Sequence, residues 1–169
     1  MDASDHDPQH KTLRMTVLAT PDMANFSGHV HGGAILKMLD QVAYACASRY
    51  SAHYAITVSV DQVFFREAVH VGELISFMAS VNYTGHTSME VGIRVTAENI
   101  IEKTDRHVIT CYITMVAVDE DGRPARVPPL KVTDVVEERR WRAAALRRDL
   151  RKEIERRALE IRQHPDQSD

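Results

Sequence analysis

Cysteine is scarce in this chain, and its two occurrences, Cys46 and Cys111, stand far apart, one in a predicted helix and one in a predicted strand. That separation fits no metal or redox motif, so both are expected as buried free thiols and not as a disulfide. Histidine is more frequent, but His29, His53, His70, His86 and His107 lack a spacing such as HxxxH, which argues against a metal site. Ser27 and Ser88 lie outside the G-x-S-x-G setting of a nucleophile elbow. No apolar run nears the roughly 18 residues of a transmembrane helix. The opening MDASDHDPQHK lacks the basic-then-apolar order of a secretory signal. The expected location is therefore the cytoplasm, with no membrane partner. An excess of one charge is missing too. With 21 Lys+Arg against 24 Asp+Glu the net charge is −3, and no basic stripe interleaved with aromatics occurs in the body, so no nucleic-acid partner is expected.

What is present is an ordinary globular composition, 44% hydrophobic and 27% charged over 169 residues, which suits one core with a tail. Charge separates the two parts. From Lys131 onward 11 Lys+Arg face 9 Asp+Glu, leaving 10 against 15 before it, so the tail is zwitterionic and the body acidic. Residues 1–11 read as a flexible polar N-terminus, 12–130 as the folded domain and 131–169 as a charged C-terminal helix.

Within the body, KTLRMTVLA predicts a short first strand and TPDMANFSG a loop. From Gly32 or Gly33 to about Arg49, the residues Ile35, Leu36, Leu39, Val42, Ala43, Cys46 and Ala47 recur at spacings of three and four, the mark of an amphipathic helix. At 100° per residue Asp40 falls at the border of that stripe, so a part-buried carboxylate is expected. The period then changes to two. AITVSVDQVFF, ELISFMASVNY, SMEVGIRVTAEN and HVITCYITMVAV predict four long strands, and their short connections predict an antiparallel meander. One long helix and one antiparallel sheet imply an α+β layer fold in which the sheet curls around the helix. Such a sheet leaves long edges, so a homodimer joined strand to strand is expected. Beyond the linker DEDGRPARVPPL, Asp134 with Glu137 forms a capping-box pattern opening a helix to about Gln163.

The stretch from Asn25 to Asp40, NFSGHVHGGAILKMLD, is where chemistry is expected. Glycines at a helix start allow close backbone approach, and the first amide N–H groups there have no intrahelical acceptor. With the positive end of the helix dipole they suit a carbonyl oxygen that gains charge during a reaction. Asp40 supplies a carboxylate two turns on, and Asn25 supplies both donors and acceptors. Taken singly, the glycines are equally a tight turn, Asp40 a surface carboxylate and Asn25 a turn residue. His31 beside the helix start is read first as a loop hydrogen-bonding residue and second as an acid–base group.

These motifs carry a family resemblance. PDMANFSGHVHGGAILKMLDQVAYACASRY, VSVDQVFFREAVHVGELISFMASVNYTGHTSMEVGIRV and TMVAVDEDGRPARVPPL resemble the hotdog-fold acyl-CoA thioesterases, close to the bacterial and cytosolic acyl-CoA hydrolases, over about residues 12–130. The resemblance implies a hotdog fold, a dimer as catalytic unit, a homohexamer as trimer of dimers, and acyl-CoA as substrate, with coenzyme A brought by the substrate and no separate cofactor. It assigns the catalytic pair to Asn25 and Asp40, on opposite subunits of one composite site. The Gly33 amide becomes the oxyanion donor, Asp40 a general base or a nucleophile, and Asn25 the group orienting water or carbonyl. Thr87, Ser88 and Arg94 become candidates for the coenzyme A groove, Arg94 toward a phosphate. His29 is a departure, at a position where such chains often carry Asn or Asp. Two rival readings share the fold: a hydroxyacyl dehydratase using His31 and Asp40, and a non-catalytic acyl-CoA-binding regulator.

Overall fold

The computed structural model describes residues 10–163, so the expectation of a flexible N-terminus lies, for residues 1–9, outside the described residues. The described residues fall into two compact units that meet in sequence between Lys131 and Val132. The first contains β1 (Thr12–Leu18), α1 (Gly32–Ser51), β2 (Tyr54–Phe65), β3 (Leu74–Thr84), β4 (Ser88–Asn99) and β5 (Thr104–Val118). The second contains α2 (Val135–Gln163).

The five strands form one antiparallel sheet in the order β1-β3-β4-β5-β2. The sheet is thus a meander only through β3, β4 and β5, and β2 lies at the far edge beside β5, where the sequence placed it next to β3. Two features send it there. α1 ends on Ala52 in the left-handed conformation (φ 58°), and β2 starts two residues later, returning antiparallel along the helix. The chain from Arg66 to Glu73 then crosses the end of the sheet to reach β3.

α1 packs on one face of all five strands. Ile35, Leu39, Val42, Ala43, Cys46 and Ala47 are buried as the periodicity predicts, and Met38 and Tyr50 join them. Leu36, assigned to the same stripe, is exposed. The sheet contributes Ile75, Phe77, Val91, Ile93, Val95, Ile109, Cys111, Ile113 and Met115, all with essentially no exposure. Each large apolar side chain buried there contributes about 1.5–3 kcal/mol before its entropy cost. Both cysteines are buried thiols outside any disulfide, and burial, with the charge of Asp61, pushes the Cys111 thiol up to about 12.

The crossing segment is fastened by an ion pair between a buried carboxylate and a partly exposed arginine. Arg106 on β5 places Nη1 2.6 Å from Glu73 Oε1 and Nη2 2.9 Å from Oε2, a two-point fork. Burial pushes the Glu73 carboxyl up, but the Arg106 hydrogen bonds, the His70 N–H at 2.8 Å and the Arg106 charge outweigh it and hold it below the ordinary value of 4.5. A depressed folded pKa contributes stability that is complete above the unfolded value and is lost as pH falls through the folded one. Thermal melts from about pH 7 to about pH 3 should therefore steepen below about pH 4.5 in the wild type. Glu73→Gln should be less stable at neutral pH and should flatten that acid limb; an unchanged limb would remove Glu73 from the acid transition.

α2 opens with Asp134 Oδ1 accepting the N–H groups of Val136 and Glu137 at 2.7 and 2.8 Å. Glu137 reaches back to Thr133 instead of Asp134, a capping box displaced by one residue. Its surface carries the expected i,i+4 pairs, such as Arg142 with Glu138 and Arg157 with Glu153. The stripe of Leu146, Leu150, Ile154 and Ile161 is exposed. Among the described residues no helix is long and apolar enough to cross a membrane.

Candidate active site

Asp40 sits on the second turn and a half of α1 and faces the edge strand. It is exposed in the single chain, not part-buried, because β2 is the last strand on that side among the described residues. Its Oδ1 accepts a 2.5 Å hydrogen bond from Thr57 Oγ1 on β2. Thr57 also lies 3.3 Å from Met115 Sδ, which packs it against β5 and limits its rotation. Around this pair Gln41, Tyr44, Tyr54, Ala55 and Ile56 complete an open cleft of about 510 Å³. Tyr44 and Tyr54 form its aromatic wall, with ring centroids 5.2 Å apart. The arrangement can hold a carboxylate in one orientation beside a space wide enough for a ligand.

Asn25 lies in a loop whose ends pair through a bridge between Ala24 and Val30. Its Oδ1 accepts from Ser27 N at 2.9 Å and His29 N at 3.2 Å, so the oxygen is spent inside the loop. The Nδ2 group is left as the free end of the carboxamide among the described residues. Gly28, at φ +78°, makes the tight turn possible.

At the helix start His31 is the N-cap, and its Nδ1 accepts from the Gly33 N–H at 2.9 Å. Gly33 leaves room for that ring: a Cβ there would lie 3.2 Å from His31 Nδ1. The expected oxyanion donor is therefore already occupied by the cap in this chain. Gly32 is different. A Cβ on it would meet only the Phe65 ring at an ordinary 3.6 Å, and its N–H has no acceptor among the described residues.

The chain does not bring all the predicted residues together. Asp40 is seven residues along α1 from Gly33, about 10 Å, and neither Asn25 nor His31 lines its cleft. Ser88 and Arg94 lie on the sheet face away from α1, six residues apart on β4, which is about 20 Å. Thr87 precedes them in the β3–β4 hairpin, its carbonyl bonded to Ala117 N. Among the described residues no group of three or more His, Cys, Asp or Glu is placed to hold a metal.

The matches to known proteins agree with this architecture. A family model described as the thioesterase superfamily matches residues 27–104. The Helicobacter pylori protein VdlD is 45% identical over 139 residues, 82% of this chain and 79% of that one. A Zymomonas mobilis chain named an uncharacterized acyl-CoA thioester hydrolase is 33% identical over 73% of this chain and 83% of its own. The crystal structure of an apo hexameric acyl-CoA thioesterase superposes with a TM-score of 0.83 at 32% identity, over 86% of this chain and 93% of that one. The chain belongs to the hotdog-fold acyl-CoA thioesterases. Within a thioesterase the Asp40 cleft gains a defined chemical context, and Thr57 is the functional candidate that sequence reasoning missed. A signal for it existed. From Asp40 to the end of α1 is 11 residues, about 16 Å at the helical rise, and the return from Ala52 to Thr57 covers about the same distance at the strand rise.

Proposed function

We propose that this thioesterase hydrolyses acyl-CoA, with Asp40 and Asn25 contributed by opposite subunits to one site. The observation that carries the reading is the Thr57–Asp40 hydrogen bond at the mouth of an open cleft, in a chain of this family. The carboxylate either removes a proton from water as it adds to the thioester carbon or attacks that carbon itself to form an anhydride that water then opens. In both routes the C–S bond breaks, the thiolate of coenzyme A leaves and takes up a proton, and the fatty acid departs as its carboxylate. Asn25 acts as a donor: with Oδ1 committed to Ser27 and His29, its Nδ2 points a hydrogen at the carbonyl oxygen as charge develops there. Gly32 N–H is the available backbone partner, and Gly33 N–H joins it when the His31 ring turns away. Arg94 meets a phosphate of coenzyme A, and Thr87 with Ser88 line the groove. No further cofactor is required.

Support for including Thr57 comes from a neighbour. The acyl-CoA hydrolase of Staphylococcus aureus, whose likeness at 23% identity shows the fold alone, has been solved with an aspartate, an asparagine and a threonine each changed to alanine. Its asparagine and aspartate are fifteen residues apart and its threonine follows seventeen later, the same separations as Asn25, Asp40 and Thr57. Thr57→Val, which keeps shape and removes the hydroxyl, should lower kcat by about tenfold, or about 1.4 kcal/mol, and Thr57→Ser should restore most of it. A Val variant with full kcat would mean that the hydrogen bond orients nothing.

The reading is tested by release of free coenzyme A from acyl-CoA substrates of graded chain length. Because Cys46 and Cys111 are buried, a thiol reagent should give little background with the folded enzyme. Binding of the panel without release would favour a regulator instead. His31 separates the dehydratase reading. Its ring is engaged as a cap, so His31→Ala should cost about 0.5–2 kcal/mol of stability and leave turnover within about threefold, since it also frees the Gly33 N–H. Complete loss of turnover in a folded variant would restore His31 as an acid–base group. The enzyme is proposed to assemble as dimers joined through β2, with a hexamer as the full assembly.

A further inference from the structure

Asn25 is tied twice to one neighbour, His29. Its N–H donates to the His29 carbonyl at 2.7 Å, and the His29 N–H donates to its Oδ1 at 3.2 Å. The remaining bonds, from Ser27 N and Gly28 N, stay within the loop, whose tip at Phe26 to Gly28 is exposed. What sets His29 therefore bears on the carboxamide, alongside the Ser27 N–H. His29 is paired with His70 by a backbone bridge, and their rings meet edge to face with centroids 5.0 Å apart. Val30 next to it donates to the Val69 carbonyl at 2.8 Å. The strap that carries Asn25 thus leans on the turn from Ala68 to Glu73.

That turn is held by backbone hydrogen bonds to Ala19, at 2.7 and 2.8 Å, and by the Arg106 side chain from the sheet. Besides its fork to Glu73, Arg106 Nη2 lies 2.7 Å from the Ala68 carbonyl and 3.2 Å from His70 Nδ1, and Nε lies 3.1 Å from Glu67. Arginine has only donors, so His70 Nδ1 accepts, which puts the ring proton on Nε2 and fixes the ring plane against His29. Glu73 is nearly buried, and an unpaired carboxylate there would be costly, so the pair holds Arg106 in place.

We infer that His70, aligned by the Arg106–Glu73 clamp, is a positioning residue that orients the Asn25 carboxamide through His29, an inference that rests on the role proposed for Asn25. The path is contiguous, and every step is a hydrogen bond or ring contact. His70 does not touch substrate in this scheme; it narrows the range of directions open to the Asn25 Nδ2 group.

The test combines kinetics with hydrogen exchange in the full-length enzyme. His70 is largely exposed, so His70→Ala should fold; Arg106→Lys, which keeps the charge beside Glu73 and loses the fork, is the second variant. In both, exchange in a peptide covering residues 24–31 should quicken by about tenfold while a peptide from α1, remote from Arg106, is unchanged. The kcat for acyl-CoA should fall by about tenfold with KM within about twofold. In an Asn25→Ala background the same substitutions should have no further effect on kcat. An equal loss in that background, or unchanged exchange in the 24–31 peptide, overturns the inference. If the wild type releases no coenzyme A, the hydrolase reading fails by itself, and the exchange measurement alone then decides whether His70 holds the strap.

Discussion

Asp40→Asn should lower kcat for acyl-CoA hydrolysis by a factor of about one hundred or more, roughly 2.7 kcal/mol of transition-state stabilisation, with little change in melting temperature. The substitution keeps the shape of the side chain and an oxygen for the Thr57 hydroxyl, so the local geometry survives. It removes the two properties that the reaction needs: an amide accepts no proton from water at neutral pH and forms no anhydride. Stability should hold because Asp40 is exposed and has no ion pair among the described residues. Substrate affinity should hold as well, since the cleft loses only a charge. The decisive comparison is kcat against the dissociation constant of a non-hydrolysable acyl-CoA analogue. A variant with near-normal kcat would remove Asp40 from the chemistry, and one that lost only affinity would make it a binding residue. Single turnover in ¹⁸O-water adds a distinction, because label enters the Asp40 carboxylate only when that carboxylate is the nucleophile.

Much of the fold, and several residues of the candidate site as candidates, were legible in the sequence, for reasons that differ from residue to residue. Periodicity is set by short-range geometry, so the helix from Gly32 and the strand from Ser88 to Asn99 appeared at nearly their observed bounds. Asp40 and Asn25 stood out because a carboxylate on a stripe border and a loop amide ahead of a double glycine need a reason. Strand order was not legible. The position of β2 depends on where the α1 terminus releases the chain and on the Arg106 contacts that hold the crossing segment, both of them tertiary. The same dependence hid Thr57, which looks like any outward residue of an alternating strand until the helix and strand lengths are compared. The two glycines also proved unlike one another. Gly33 makes room for the His31 cap, whereas Gly32 meets no such crowding and keeps its N–H open, a distinction that residue types do not encode.

The exposure of Asp40 leads to the second large effect, restoration of activity by mixing two inactive variants. Within one chain the oxyanion donors proposed above do not line the Asp40 cleft: Asn25 and the helix start lie outside it, the latter about two helical turns away along α1. The same edge presents Tyr54, Ile56, Val58 and Val60 to solvent, with 43–60% exposure, on a strand whose outer backbone has no partner strand among the described residues. Long apolar edges of this kind are normally covered, and a second copy joined along β2 would cover this one while carrying its own Asn25 loop toward the cleft. A dimer of Asp40→Asn with Asn25→Ala would then hold one site in which both residues are intact and one in which both are lost. Co-expression with two different tags and purification through both should give activity far above either single variant, up to about half the wild-type kcat per dimer when every dimer is mixed, although each homodimeric variant is nearly inactive. If Asp40 and Asn25 served the same site from one chain, every site in the mixed dimer would carry a lesion, and activity would stay at the level of the single variants.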